Sequence, residues 1–256
     1  MTRSESRERL LVAIEWVCQT LWLTQRREPE LLRLQEERGS LGFVHYILSR
    51  AGKMPDIDWA AALYVMPASL VEHLRPRCVA LDPGSYILAA REAGAAALKR
   101  LHPQASGLAL GKLARASRPE GELPQAWWKL PPGEDPHQEL LWAAMTLREA
   151  RAYAHYRAAE AEGLQPLELL LLTAAWQGLE AVPMHRLFRW GDEEVASARE
   201  SLRVRGWLAA EGGLSSTGRA RREALEERTT AHTDLLLGSL SDRQLEQLAD
   251  ELPISA

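Results

Sequence analysis

Apolar residues recur at helical spacing through most of the chain. Leu10, Ile14, Val17 and Leu21 share one stripe and predict a helix from Leu10 to Trp22, and Glu28 to Glu37 predicts a second, stopped by Gly39. Ser40 starts a third through Phe43 and Ile47, another spans Trp59 to Tyr64, and Ala68 to Leu74 continues after Pro67. Between Ser117 and His137, Pro119, Pro124, Pro131, Pro132 and Pro136 predict a stretch with no regular element. A long helix then runs from about His137 to Ala161, with Leu140, Ala144, Leu147, Ala154 and Ala158 on its apolar face. Pro166 introduces a strongly apolar helix, Leu167 to Trp176, suited to the centre of a domain, and a short helix follows near Met184 to Phe188. Ser241 and Gln244 form a capping box ahead of the stripe Leu245, Leu248 and Leu252.

The segment from Asp192 to Glu227 is the most specific. Asp192 suits a helix N-cap, Val195, Ala198 and Leu202 recur at helical spacing, and Gly206 stops the helix. Trp207-Leu208, the turn residues Glu211-Gly212-Gly213 and Leu214 predict a small two-stranded wing, after which Ser215 caps a long helix. Helix, wing, helix is the order of a winged helix. With Val195, Ala198 and Leu202 facing the core, Glu193, Ala196, Ser197 and Glu200 occupy the face that would meet DNA. Duplex binding rests on several Lys or Arg contacts to phosphates, yet this face is acidic and Ala209 to Leu214 holds no Lys or Arg. DNA binding is therefore disfavoured. The expected fold is mainly α, with a C-terminal winged helix: an N-terminal helical domain over 1–118, a Pro-rich linker over 119–136, and a winged-helix domain over 137–256.

A shift of 128 residues superposes Leu74 on Leu202, Arg77 on Arg205, Arg91 on Arg219 and Arg100 on Arg228, with Asp82-Pro83-Gly84 near the wing turn. Such an echo fits either two winged-helix-like halves packed as a pseudo-dimer or chance alignment of Arg- and Ala-rich helices. A monomeric pseudo-dimer and a homodimer are the two assemblies expected.

Composition narrows the function. The chain has 256 residues, 46% of them hydrophobic, and a net charge of -4, which argues against a general nucleic-acid or membrane-surface binder. No apolar run reaches membrane-spanning length and the start, MTRSESRERL, is charged, so a cytoplasmic protein is expected. Cys18 and Cys78 lack CxxC spacing and histidine neighbours and read as buried free thiols; no metal and no cofactor is expected. His45, His73 and His185 stand alone on helices, while Arg219, Arg221 and Arg222 are answered by Glu223, Glu226 and Glu227 and read as a solvated face. Nucleophile-elbow, dinucleotide and phosphate-loop patterns are missing. Nine tryptophans against two phenylalanines supply either core fillers, whose indole N–H finds a carbonyl, or the walls of a pocket.

Leu214-Ser215-Ser216-Thr217-Gly218-Arg219, with Leu202 to Leu208 before it and Leu240-Ser241-Asp242-Arg243-Gln244-Leu245 after it, resembles the wing and dimerisation helices of MarR-type regulators. A longer resemblance is to a SalK-type helix-turn-helix family of actinobacterial proteins, through Pro136-His137, Leu141-Trp142, Thr146, Arg148-Glu149, Arg151, His155 and Arg189 to Leu208. Such relatives have a His-Arg-Gly-Asp-Gly-His run where this chain has Ala150-Arg151-Ala152-Tyr153-Ala154-His155, and a Glu-Pro-x-His element where it has Glu15-Trp16-Val17-Cys18. The resemblance implies a two-part helical protein with a winged helix. It also suggests an aromatic ligand at the junction of dimerisation and DNA-binding elements.

The residues themselves point to the same helix. Arg151 falls on the apolar stripe of the 137–161 helix, with Arg148 and His155 along one edge. A guanidinium on a core face must be paired, wet or facing a cavity. Glu15 or Glu149 would supply an ion pair, and an anionic ligand would supply the alternative. On the ligand reading, Arg148, Arg151, His155, Glu15 and Glu149 engage the polar end of an aromatic or conjugated metabolite, and Trp16, Trp22, Tyr64 and Trp142 form its walls. Two alternatives stand beside it: a MarR-like transcriptional regulator that binds DNA, and a metal-free enzyme of specialised metabolism using Glu15, Glu149 or His155 as acid or base.

Overall fold

The computed structural model describes residues 2–24, 27–37, 58–80, 83–105, 107–179 and 184–252. The helix expected from Ser40, the stop at Gly39, His45 and the side chain of Cys78 lie outside the described residues. What is described is mainly helical: α1 (Arg3–Thr24), α2 (Pro29–Glu37), α3 (Trp59–Ala62), α4 (Ala68–Ala80), α5 (Pro83–Leu101), α6 (Leu108–Ser117), α7 (Glu122–Lys129), α8 (Pro136–Ala161), α9 (Pro166–Trp176), α10 (Met184–Leu187), α11 (Asp192–Val204), α12 (Ser216–Leu237) and α13 (Asp242–Glu251). Packing divides the chain into two units. One comprises Met1–Ile57, Pro76–Tyr153 and Asp234–Ala256; the other comprises Asp58–Arg75 and Ala154–Thr233.

The first unit is built around α8. Every residue from Leu140 to Leu147 is buried, as expected of a helix apolar on all sides. Asp135 starts α8 by accepting a hydrogen bond from the His137 N–H at 2.8 Å, and Pro136 follows at the first helical position, where no intrahelical donor is needed. Elsewhere in this unit α1 packs along α5 and α13. The 117–137 stretch holds a helix, α7, that its prolines argue against. Pro124 sits in its first turn, where a missing N–H breaks no helical bond, and the other four prolines flank it. Pro83 likewise opens α5, so of the residues aligned with the wing turn Pro83 and Gly84 begin a helix instead, and Asp82 lies outside the described residues. Helix α4 runs on to Ala80 through Pro76, past the expected end at Leu74.

The second unit packs around α9. Leu167 and Leu169 to Leu172 meet Val195 and Leu202 of α11, Trp207 and Leu208 between α11 and α12, and Leu225 of α12 in one core with Tyr64 and Leu164. Glu168 on the same helix is buried beside them and is satisfied by the Ser201 hydroxyl at 2.6 Å and Arg205 at 3.0 Å. The Tyr64 hydroxyl donates to the Leu164 carbonyl at 2.8 Å, and its ring stacks on Tyr156 at 5.0 Å.

Candidate functional site

In the second unit, α10 and α11 are joined by Phe188 to Gly191. The Arg189 N–H donates to the Arg186 carbonyl at 3.1 Å and the Trp190 N–H to the His185 carbonyl at 3.0 Å, closing α10 with Arg189 in the left-handed region at φ 64°. Trp190 anchors the turn by donating its indole N–H to the Val65 carbonyl at 3.0 Å. Gly191, rather than Asp192, is the N-cap of α11: Glu194 reaches back to accept from its N–H at 2.9 Å, and Asp192 becomes the first helical residue.

Val195 and Leu202 are buried and Ala198 is half-buried, which turns Glu193, Ala196, Ser197 and Glu200 into solvent. All four are exposed. Glu200 accepts two hydrogen bonds from Arg203, at 2.9 and 2.8 Å; the bonds from Arg203 hold its carboxyl below the ordinary range and push the guanidinium's pKa up. Arg203 is thus committed to an anion on the same helix, while Arg199 is exposed on α11 as well. At the far end, Gly206 at φ 75° turns the chain: its N–H donates to the Arg203 carbonyl and the Trp207 N–H to the Leu202 carbonyl, both within 3.0 Å. The chain then reverses, with Leu208 and Leu214 forming one antiparallel bridge and Ala209 donating to the Gly213 carbonyl at 2.8 Å. Ser215 caps α12 by accepting from the Gly218 N–H at 2.8 Å.

Arg222 departs from the solvated face expected of the arginine cluster. It is 3% exposed, bonds Glu226 one turn along, and lies over Trp176. The signal was present in the spacing: Gly218, Arg222, Leu225, Thr229 and Thr233 make one buried stripe on α12. His155 belongs to the same unit, with Nδ1 at 3.0 Å from the Thr229 hydroxyl and 3.8 Å from Glu226. Because Thr229 donates its only proton to the Leu225 carbonyl, it can only accept from His155, so Nδ1 carries the hydrogen.

In the first unit the structure gathers Glu15, Trp22, Arg148 and Glu149. Arg148 donates through Nε to Glu15 at 3.2 Å and through Nη1 to Glu149 at 2.8 Å, with its guanidinium 4.6 Å from the Trp22 ring centre. Glu149 is 1% exposed. The free thiol of Cys18 is buried close by: desolvation pushes it well above its ordinary value, Arg148 opposes that, and Glu15 and Glu149 add to it. Arg151 is half-buried further along α8. The remaining aromatic candidates are dispersed. Trp142 is a core ring donating its indole N–H to the Trp127 carbonyl at 2.8 Å, Trp16 packs edge-on against His102 at 4.7 Å, and Tyr64 belongs to the second unit.

Sequence reasoning passed over Arg91. On α5 it is 5% exposed, in a buried row with Ile87, Gly94 and Leu98, a spacing that would have exposed it. Among the described residues no group of three or more His, Cys, Asp or Glu is placed to hold a metal ion, and no helix is long and apolar enough to cross a membrane. No curated protein and no solved structure matches the chain. Residues 17–254 do match a helix-turn-helix family, and because that match runs through nearly the whole sequence, the chain belongs to this helix-turn-helix family.

Proposed function

We propose that this helix-turn-helix protein binds a small aromatic or conjugated metabolite and has largely given up gripping duplex DNA through α11. The observation that carries the proposal is the ridge of Glu193, Ser197 and Glu200, fully presented and anionic, with Arg203 tied to Glu200. Phosphates approaching it would meet like charge where a duplex reader places cations. In the same reading the bridge at Leu208 and Leu214 is a reduced wing on a MarR-like plan, bearing no cation for a minor groove.

Support for a ligand comes from polar groups carried inside the first unit. The Glu149 carboxylate, the Arg148 guanidinium on Trp22 and the sealed Arg91 all stand where apolar packing is often at least as stabilising. Groups of this kind concentrate at sites of function. The test has two arms on the full chain. Intrinsic tryptophan fluorescence, titrated with a panel of aromatic metabolites, should show saturable quenching by at least one of them, altered in Arg148→Ala because Trp22 loses its cation. Fluorescence anisotropy of labelled duplex should show no salt-dependent binding at about 50 mM salt, where phosphate contacts are strongest. Tight binding that falls steeply with salt would instead establish the DNA-regulator reading that family membership favours.

A further inference from the structure

We infer that Arg91 is the anchor for a carboxylate on that ligand, an inference that rests on the ligand reading above. Three other inward-facing arginines are answered by carboxylates: Arg148 by Glu15 and Glu149, Arg222 by Glu226, Arg205 by the buried Glu168. Arg91 is different. Its Nη1 donates to the Pro131 carbonyl, its Nε–H is buried with no acceptor as that of Arg222 is, and, unlike Arg222, Arg91 is bonded by no carboxylate among the described residues. Its sequence neighbour Glu92 is exposed and helps only at a distance.

Desolvation lowers the Arg91 pKa, with Glu92 acting against it, yet a guanidinium starts so high that it stays charged at any pH the protein meets. The fold therefore holds a permanent, nearly buried cation with one neutral acceptor among the described residues, an arrangement that is unfavourable until an anion joins it. The guanidinium lies beneath the connection between α7 and α8, where Pro131 and Pro132 offer carbonyls but no N–H. With Nη1 occupied there, the sealed Nε–H is the donor left without an acceptor, and together with the N–H parallel to it on the same edge it has the spacing of the two oxygens of a carboxylate.

The experiment titrates wild-type protein, Arg91→Met and Arg91→Lys with benzoate and with its neutral counterpart benzamide, following tryptophan fluorescence. Benzoate should bind at least about tenfold more tightly than benzamide to wild type, and Arg91→Met should reduce benzoate to the level of benzamide. Arg91→Lys, which keeps the charge without the fork, should fall between them, and it carries the test if Arg91→Met does not fold. Without ligand, Arg91→Met should melt no lower than wild type, since it removes an unanswered charge while keeping the stem. Undiminished benzoate binding in both variants would overturn the role of Arg91 and leave the ligand reading standing. Equal binding of benzoate and benzamide by wild type would do the same, while failure of wild type to bind either, or any member of the aromatic panel, would remove both.

Discussion

Tyr64 shows how one buried hydroxyl ties stability to pH. Desolvation first, then the charges of Glu160 and Glu168, raise its pKa from 10.0 to about 12, because the phenolate would be sealed away from water near two carboxylates. The neutral form is the one that folds well, donating to the Leu164 carbonyl. Since the folded pKa lies above the unfolded one, the stabilisation is fully present below pH 10 and is lost as pH rises through about 12. A shift of this size corresponds to about 2–3 kcal/mol over that window. Tyr64→Phe should be less stable by about 1 kcal/mol at pH 8, for the lost hydrogen bond, yet show a shallower decline at high pH. Urea unfolding at pH 8 and pH 11 reads both numbers; equal alkaline slopes in the two proteins would contradict the assignment. Cys18 acts in the same direction from its ordinary value of 9.0, so part of the alkaline decline survives the Tyr64 change.

Elements in the second unit approach each other closely enough that one added methyl group decides whether they fit. A Cβ placed on Gly218 would fall 1.8 Å from the Trp207 carbonyl oxygen, so the first turn of α12 can seat there only without a side chain. Gly218→Ala should lower stability by about 1–3 kcal/mol or more, visible as a fall in melting temperature, because backbone on both sides must shift. Gly238→Ala, near the other end of α12 where the nearest atoms are 3.2 Å away, should be far milder, and comparable losses in the two variants would refute the close-approach argument. The capping of α12 by Ser215 and of α13 by Ser241 with Gln244 was legible in the sequence, because caps are local chemistry. So were the apolar stripes of α1, α9 and α11, whose period is set within a few turns. Helix α7 is hidden by the proline content of its surroundings, because a proline in the first turn, as Pro124 is, breaks no helical bond. Arg222 was read as part of a solvated face and Arg91 was not singled out, for a related reason: arginines are usually exposed, and only their place in a buried row says otherwise. Of the expected site, charge on a core face gave Glu15 or Glu149 to Arg151, whereas Arg148 bonds both, and the scattering of Trp16, Trp142 and Tyr64 likewise depends on packing that no single helix encodes.

At the scale of the whole molecule, the net charge of -4 is too diffuse to decide whether DNA binds. With a screening length of about 8 Å at physiological salt, a phosphate on α11 senses the ridge beneath it and little else. Reversing the ridge therefore tests the barrier directly. In Glu193→Lys with Glu200→Lys, two carboxylates become ammonium groups, and Arg203 is also released, because Glu200 is its bidentate partner. Three cations then face the duplex. If each neutralises one phosphate, the logarithm of affinity against the logarithm of salt should steepen by roughly 2–3, at about 0.9 per contact. Anisotropy of a labelled duplex between about 50 and 200 mM salt measures that slope, and the gain should be independent of sequence because lysine contacts to phosphate carry no base readout. A double variant that still ignores DNA would mean that α11 is not presented as a duplex-facing helix at all. Wild-type binding with an already steep slope would mean that its acidic ridge is no obstacle, and the exchange of DNA for a metabolite would lose its physical basis.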